Sequence, residues 1–360
     1  MNYQRFISPD TQFYQLTEPF PLESGVVLSG VQVAYRTWGK LNSTGDNAVL
    51  VCHALTGSAD VDRWWEPLLG QNRSLDVDRD FIICSNILGS CYGTTGATSI
   101  NPNTGTFYGA AFPRITIRDM VRLQAILLKA LNVRSLKLVI GGSLGGMQVL
   151  EWAVLYPDVV KAIAVIAAPG RHSAWCIAIS EAQRQAIYAD PNWQNGNYTE
   201  QPIQGLAAAR MMAMSFYRSW ASFGDRFGRR TNQTNFEIVN YLQYQGEKFI
   251  DRFDANTYIT LTHAMDSHDV GCDENYDAVL KRVHQPTLIV SISSDVLYPP
   301  VEQEELSRLI PNATLTMLQS PHGHDAFLMD MTELNDLIVQ FRNFVDRTSR
   351  HSSNSQHCLI

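Results

Sequence analysis

The chain has 360 residues, 45% hydrophobic and 18% charged, with a formal net charge of -7. That composition excludes a largely disordered chain or a coiled coil, and at roughly 150 residues per domain it allows two domains or one large domain with an insertion. The acidic balance, without a basic block, excludes general nucleic-acid binding, and no apolar run reaches the ~20 residues of a bilayer span.

In chain order, Val26 to Thr37 reads as one or two early strands, and Ala48 to Cys52 and Phe81 to Asn86 as buried strands. Thr116 and Asp119 form a capping-box pattern ahead of a helix whose stripe is Met120, Leu123, Leu127 and Leu131. Leu136 to Ile140 is a further strand, Met147 to Tyr156 a helix stopped by Pro157, and Ala162 to Ala167 another strand. Strand signals then fade. Helical segments such as Ala174 to Tyr188 and Gly205 to Ala221 are joined by polar loops, among them Asp190 to Gln204 and Gly224 to Asn235. Strands return at Pro286 to Ser293 and Ala313 to Leu318, followed by a helix over Thr332 to Val345. Alternating strands and helices predict an α/β fold with a mostly parallel sheet and helices on both faces. Residues 1–170 and 283–346 read as the core, 171–282 as an inserted helical lid, and 347–360 as a disordered Ser- and His-rich tail.

The six cysteines include no C-x-x-C pair and no zinc-like spacing, so no metal is expected. Met1 to Pro9 shows no basic-then-apolar leader, and the expectation is a cytoplasmic protein with reduced thiols.

The most informative segment is Leu136-Lys-Leu-Val-Ile-Gly-Gly-Ser143-Leu-Gly-Gly-Met147, a strand running into Gly141-x-Ser143-x-Gly145 and then a helix. This is G-x-S-x-G in a strand–turn–helix setting, where a tight turn presents the Ser hydroxyl at the C-terminal edge of a sheet. A dinucleotide loop would need a Gly where Ser143 stands, and P-loop spacing is missing; a structural turn with an inert Ser is the remaining alternative. A Ser hydroxyl needs a positioned base, and in this setting the chain order is Ser, acid, His. Asp295 ends the strand of Ile289-Val-Ser-Ile-Ser-Ser294, and Ser320-Pro-His322-Gly-His324-Asp325 follows the next strand. Of the two histidines His324 is preferred, with Gly before it and an acid after it. The backbone N–H of Leu144, and that of Leu55 in the loop after Ala48 to Cys52, are the expected oxyanion donors, while His53 reads as structural. Arg210, on a lid helix, and Asp325 would together suit a zwitterionic amino acid. Read alone, each has an ordinary alternative: an Arg paired on a helix surface and a solvated Asp.

The motif set as a whole resembles the homoserine O-acetyltransferases. The resemblance is carried by Gly141-Gly-Ser-Leu-Gly-Gly-Met-Gln148, Phe112-Pro-Arg-Ile-Thr-Ile-Arg-Asp-Met120, Ser293-Ser-Asp-Val-Leu-Tyr-Pro299 and Gly323-His-Asp-Ala-Phe-Leu328, with Cys52-His-Ala-Leu-Thr-Gly57 and Asn86-Ile-Leu-Gly-Ser-Cys-Tyr-Gly93. It spans about Leu22 to Phe344. It implies an α/β-hydrolase fold, a lid that mediates a homodimer, and no bound cofactor. It implies acetyl-CoA as co-substrate and L-homoserine as acceptor in methionine biosynthesis, with Ser143, Asp295 and His324 as the triad and Arg210 and Asp325 on the amino acid. Leu144 stands where Met is often found after the nucleophile, and Ala97 where Pro is common. The same triad also suits a serine or homoserine O-succinyltransferase, or an esterase or thioesterase; a non-catalytic binding protein of this fold is the reading from a different class.

Overall fold

The computed structural model describes residues 6–356 except 233 and 273. Its centre is an eight-stranded sheet. In chain order the strands are β1 (Gln12–Gln15), β2 (Gln32–Trp38), β3 (Ala48–Cys52), β4 (Phe81–Ser85), β5 (Leu136–Gly142), β6 (Ile163–Ile166), β7 (Thr287–Ile292) and β8 (Ala313–Leu318). Their spatial order is β1-β2-β4-β3-β5-β6-β7-β8. The pairings β1–β2 and β2–β4 are antiparallel, and every other neighbour is parallel. Parallel strands are covered on both faces, which is why β3, β6 and β7 are buried at every residue and why β3 and β6 read as unbroken apolar runs.

Eleven helices are labelled α1 (Val61–Trp64), α2 (Ile117–Ala130), α3 (Leu144–Leu155), α4 (Ala174–Tyr188), α5 (Ile203–Tyr217), α6 (Trp220–Arg226), α7 (Glu237–Ile250), α8 (Ala255–Asp266), α9 (Tyr276–Lys281), α10 (Pro300–Leu309) and α11 (Met331–Gln356). One face of the sheet packs Val49, Ile82, Ile140, Ile166 and Val290 against Leu334, Ile338 and Phe341 of α11. The other packs Leu50, Ile83, Val139, Val165 and Ile289 against Val121 of α2, Leu150 and Trp152 of α3, Leu280 of α9 and Leu306 of α10. The α2 start is the anticipated capping box: Asp119 N–H donates to Thr116 Oγ1 at 3.1 Å, and Thr116 N–H donates back to Asp119 Oδ2 at 3.1 Å.

Helices α4 to α8 lie between β6 and β7 and form the lid. Leu206, Ala209, Phe249, Tyr258 and Leu261 of the lid share one cluster with Leu55, Leu144, Met147 and Tyr298 of the loops and helix at the C-terminal strand ends. The inserted segment thus roofs the sheet edge where the elbow sits. Helix α9, within the span that reads as lid, instead packs with the core.

Three elements differ from the sequence reading. The α3 helix starts at Leu144, three residues earlier than Met147, because the turn through Ser143 passes straight into helix. The run Gly205 to Ala221 is two helices, interrupted at extended Arg218; Ser219 caps the second by accepting from Ser222 N–H. The α11 helix continues to Gln356, through most of the segment that reads as an irregular tail, and residues 357–360, including Cys358, lie outside the described residues. The short strand β1 and helices α7 and α8 are not among the elements named from the sequence. Among the described residues no helix is long and apolar enough to cross a membrane.

Candidate active site

Ser143 sits between β5 and α3 with φ 59° and ψ -128°. A non-glycine residue at positive φ is strained and persists only where its surroundings dictate it. Here Ser143 N–H is tied to Ile166 O at 2.9 Å. The flanking glycines are required by space rather than by their own dihedrals. A Cβ on Gly145 would lie 2.1 Å from Cys52 O, and one on Gly141 would lie 2.6 Å from both Cys52 O and the Gly145 carbonyl carbon. Strand β3, strand β5 and helix α3 therefore meet closely enough to force the bend that presents the hydroxyl.

Asp295 and His324 come from the loops after β7 and β8, neighbouring parallel strands. Asp295 Oδ1 accepts from the N–H groups of Leu297 at 2.8 Å and Tyr298 at 3.0 Å, while Oδ2 meets His324 Nδ1 at 2.7 Å. Both side chains are almost fully buried. His324 Nε2 is also buried and has no hydrogen-bond partner among the described residues. Burial alone would push the imidazole down, but the charge and hydrogen bond of Asp295 outweigh it and hold the pKa above the ordinary value. The ring is wedged by Tyr298 and Phe327, both edge-on, at centroid distances of 5.2 and 5.5 Å. The ring of His322, the other histidine of the segment, lies 4.0 Å from Asp330 Oδ1 rather than beside Asp295.

The loop after β3 lies beside the elbow. His53 is buried; its Nδ1–H donates to Ala54 O at 2.8 Å and its Nε2 accepts from Ile87 N–H at 3.2 Å. Burial pushes its pKa down to about 4, so the ring is a neutral brace between two loops. Gln148 of α3, fully buried, donates to His53 O at 3.3 Å and takes a bond from Gln124 Nε2 at 2.8 Å. It ties the loop carrying Leu55 to the helix behind Ser143, a role its place in the sequence motif does not disclose. Leu55 lines the cavity described next. Leu144 opens α3 with its side chain in the core, and its N–H is one of the first-turn donors that lack an intrahelical acceptor.

A cavity of about 560 Å³ between core and lid is lined by Ser143, His324, Leu55, Arg210 and Asp325 together. Its volume is within the range of small-molecule sites. Asp295 stands behind His324, outside the lining. Arg210 is not paired on a helix surface: its guanidinium lies over the rings of Phe249 and Tyr217, at 5.1 and 5.5 Å from their centroids. Tyr217 also lines the cavity and packs 5.8 Å from the His324 ring. It lies two helical turns after Arg210 on α5 and so shares its face, a relation visible only once that helix is known to line a site. Asp325 is only partly exposed and its Oδ2 lies 3.3 Å from Arg218 Nε. Burial raises its pKa, and Arg218, Arg210 and His324 oppose that rise. The pair is an ion pair by distance without hydrogen-bond alignment, since Arg218 Nε has no hydrogen-bond partner. The break between α5 and α6 has its reason here. Gly323, at φ 70°, lies so close to the Arg218–Ser219 backbone that a Cβ would approach to 2.7 Å, and Ser219 Oγ bonds Pro321 O. The loop carrying His324 is seated on that interruption of the lid.

A nucleophile elbow on a mostly parallel sheet, with acid and imidazole arriving later in the chain at adjacent strand ends, defines an α/β hydrolase. The family model described as alpha/beta hydrolase fold matches residues 47–330. The homoserine O-acetyltransferase of Trichormus variabilis is 68% identical over 346 residues, covering 95% of this chain and 96% of that protein. Among solved structures, esterase E22 superposes with a TM-score of 0.86 at 28% identity, covering 92% of this chain and 99% of that one. The homoserine O-acetyltransferase of Bacillus anthracis superposes equally, with a TM-score of 0.86 at 25% identity, covering 92% and 97%. The chain belongs to the homoserine O-acetyltransferase family of α/β hydrolases.

Proposed function

We propose that the protein moves an acetyl group from acetyl-CoA to the hydroxyl of L-homoserine through an acyl-Ser143 intermediate. The observation that carries this reading is the buried imidazole of His324, fixed by Asp295 on one nitrogen and free on the other, in a cavity it shares with Ser143, Arg210 and Asp325.

His324 Nε2 takes the proton of Ser143 Oγ as that oxygen attacks the thioester carbonyl. The N–H groups of Leu55 and Leu144 stabilise the oxyanion, and the CoA thiol leaves with the proton from His324. Homoserine then enters with its carboxylate toward Arg210 and its amino group toward Asp325. Its hydroxyl gives a proton to Nε2 and attacks the acyl carbon, and the proton returns to Ser143 as O-acetylhomoserine leaves. Asp295 holds the imidazole in the tautomer with the proton on Nδ1 and stabilises the charged form. Burial raises the Asp325 pKa, positive charge from Arg218, Arg210 and His324 opposes that rise, and an incoming ammonium group would oppose it further. The lid over the cavity limits water, which would otherwise hydrolyse the acyl-enzyme.

The reading places the enzyme in the cytoplasm, in methionine biosynthesis, with no resident cofactor or metal. It includes a homodimer through the lid, where Trp220, Phe236 and Val239 are exposed. Sedimentation velocity tests that part: a Val239→Asp, Phe236→Asp double variant is expected to sediment as monomer. The second reading, an esterase, is favoured by the equal superposition on esterase E22. Succinyl transfer and serine as acceptor use the same triad. One experiment separates them: acetyl-CoA and succinyl-CoA are supplied in turn with homoserine or serine, and thiol release is followed. Fast release only with acetyl-CoA and homoserine is expected. Rapid ester hydrolysis without any acceptor would favour the esterase instead.

A further inference from the structure

The protein as a whole is acidic, yet the cavity at Ser143 is not. Four of its lining residues are cationic, Arg63, Arg210, Lys248 and Arg252, against two acids, Asp60 and Asp325. Both acids are already neutralised: Asp60 accepts from Arg36 Nη1 at 2.9 Å, and Asp325 pairs with Arg218. Two of the four cations are committed inside the site. Arg210 lies over two aromatic faces, and Arg252 donates to Thr56 O at 2.9 Å and to the Tyr92 hydroxyl at 2.7 Å.

Arg63 and Lys248 differ. Both are exposed, and among the described residues neither side chain has an ion pair or hydrogen bond. They come from opposite walls: Arg63 from α1 of the core, Lys248 from α7 of the lid. The exposed Val239 lies nine residues earlier on α7, two and a half turns away, so the face offered for self-association is not the face that carries Lys248. Unpaired cations from two sides of one opening are a configuration for an anion of several charges.

We propose that Arg63 and Lys248 form a two-sided clamp at the cavity mouth for the phosphate groups of a nucleotide-bearing thioester, selecting donors by their charged handle while Ser143 selects the acyl group. The inference rests on the acyl-transfer reading above and adds to it the residues that hold the donor's distal end. The clamp spans core and lid, so an engaged donor also holds the lid against the core during acylation. Donor lacking phosphates reaches Ser143 without this contact.

The test compares two thioesters with the same acyl group and reacting arm: acetyl-CoA and acetyl-pantetheine, which has no phosphate. The reading is the ratio of their kcat/KM values for acylation, followed by thiol release with homoserine present. Wild type is expected to favour acetyl-CoA. The Arg63→Ala, Lys248→Ala double variant is expected to lower the ratio roughly tenfold, the scale of two solvent-screened ion pairs. Lys248→Glu is expected to lower it further, and added salt is expected to lower it in wild type but much less in the double variant. A double variant whose ratio equals that of wild type overturns the clamp, as does one in which both donors lose activity in proportion. Failure of the underlying reading looks different: wild type itself then releases no thiol from either donor, or releases it equally fast with homoserine left out. Because the measure is a ratio, partial loss of folded protein cancels.

Discussion

Asp295→Asn probes the site with almost no change of shape. Asp295 Oδ1 is held by two backbone donors, Leu297 N–H at 2.8 Å and Tyr298 N–H at 3.0 Å. An Asn must therefore keep its amide oxygen there, since turning the amide around would face NH2 to two N–H groups and forfeit two buried bonds, at about 1–3 kcal/mol for each group left unsatisfied. The NH2 group then faces His324 Nδ1 across the 2.7 Å contact. Nδ1 becomes an acceptor and the ring proton moves to Nε2, the nitrogen that has to receive the proton of Ser143. Loss of the carboxylate also removes the charge that holds the imidazole pKa up. A wrong tautomer of this kind costs on the order of 10⁴ in kcat, or about 5 kcal/mol of transition-state stabilisation. The assay is thiol release from acetyl-CoA with homoserine, with mass spectrometry of the Ser143 peptide after brief exposure to donor alone. Wild type is expected to accumulate acetylated Ser143 and the variant almost none, with unchanged thermal stability. A variant retaining a tenth or more of wild-type kcat would refute the reasoning, because the tautomer would then be immaterial to the chemistry.

The pH dependence of acylation is expected to show a base that must be neutral, with the rate falling as pH drops through an apparent pKa above the ordinary histidine value of ~6.5; a rate flat across that range would count against His324. Arg210→Ala is expected to raise KM for homoserine by roughly ten- to a hundredfold, the worth of a charged hydrogen bond, with much less effect on acylation by donor alone. Gly145→Ala places a methyl group 2.1 Å from Cys52 O, backbone that cannot yield, and is expected to lower Tm and remove activity together. Stability is expected to fall as pH is lowered from about 6.5 toward 4: buried His53 has its pKa pushed down to about 4 in the folded state, so the unfolded chain binds more protons in that window. Nothing is lost above the unfolded pKa, and the loss due to His53 reaches roughly 3 kcal/mol by pH 4, checked by urea midpoints at pH 7 and 4.5.

Much of this site is legible before folding is considered. The elbow reads from local chemistry, because G-x-S-x-G between a β-branched run and a helix leaves few other conformations, and Cys52 O explains why both glycines are needed. Asp295 and His324 are legible because chain order and strand ends limit the choice, and the pairing at 2.7 Å agrees with it. Gln148 and Tyr217 were not legible in their roles. Gln148 acts through a backbone carbonyl 95 residues away, and Tyr217 through a ring contact across the lid–core junction. The interrupted helix at Arg218 reads as continuous in sequence because its break is imposed by Gly323, more than a hundred residues downstream.

What the amino-acid order decided by itself is the set of short-range facts: the capped start of α2, the bend at Ser143, the apolar strands, and the acid and imidazole each parked at a strand end. These depend on residues within a few positions of one another, whose steric and hydrogen-bonding preferences act in any context. What only the tertiary structure decided is which of the polar residues share a cavity. Arg210 over Phe249 joins two helices of the lid, while Tyr217 against His324, Asp325 beside Arg218, and Arg63 opposite Lys248 are meetings between lid and core, set by how a helical insertion packs on the sheet edge. Side-chain identity carries no information about a partner a hundred residues away until burial of the apolar faces of α5 and α7 brings the two walls together.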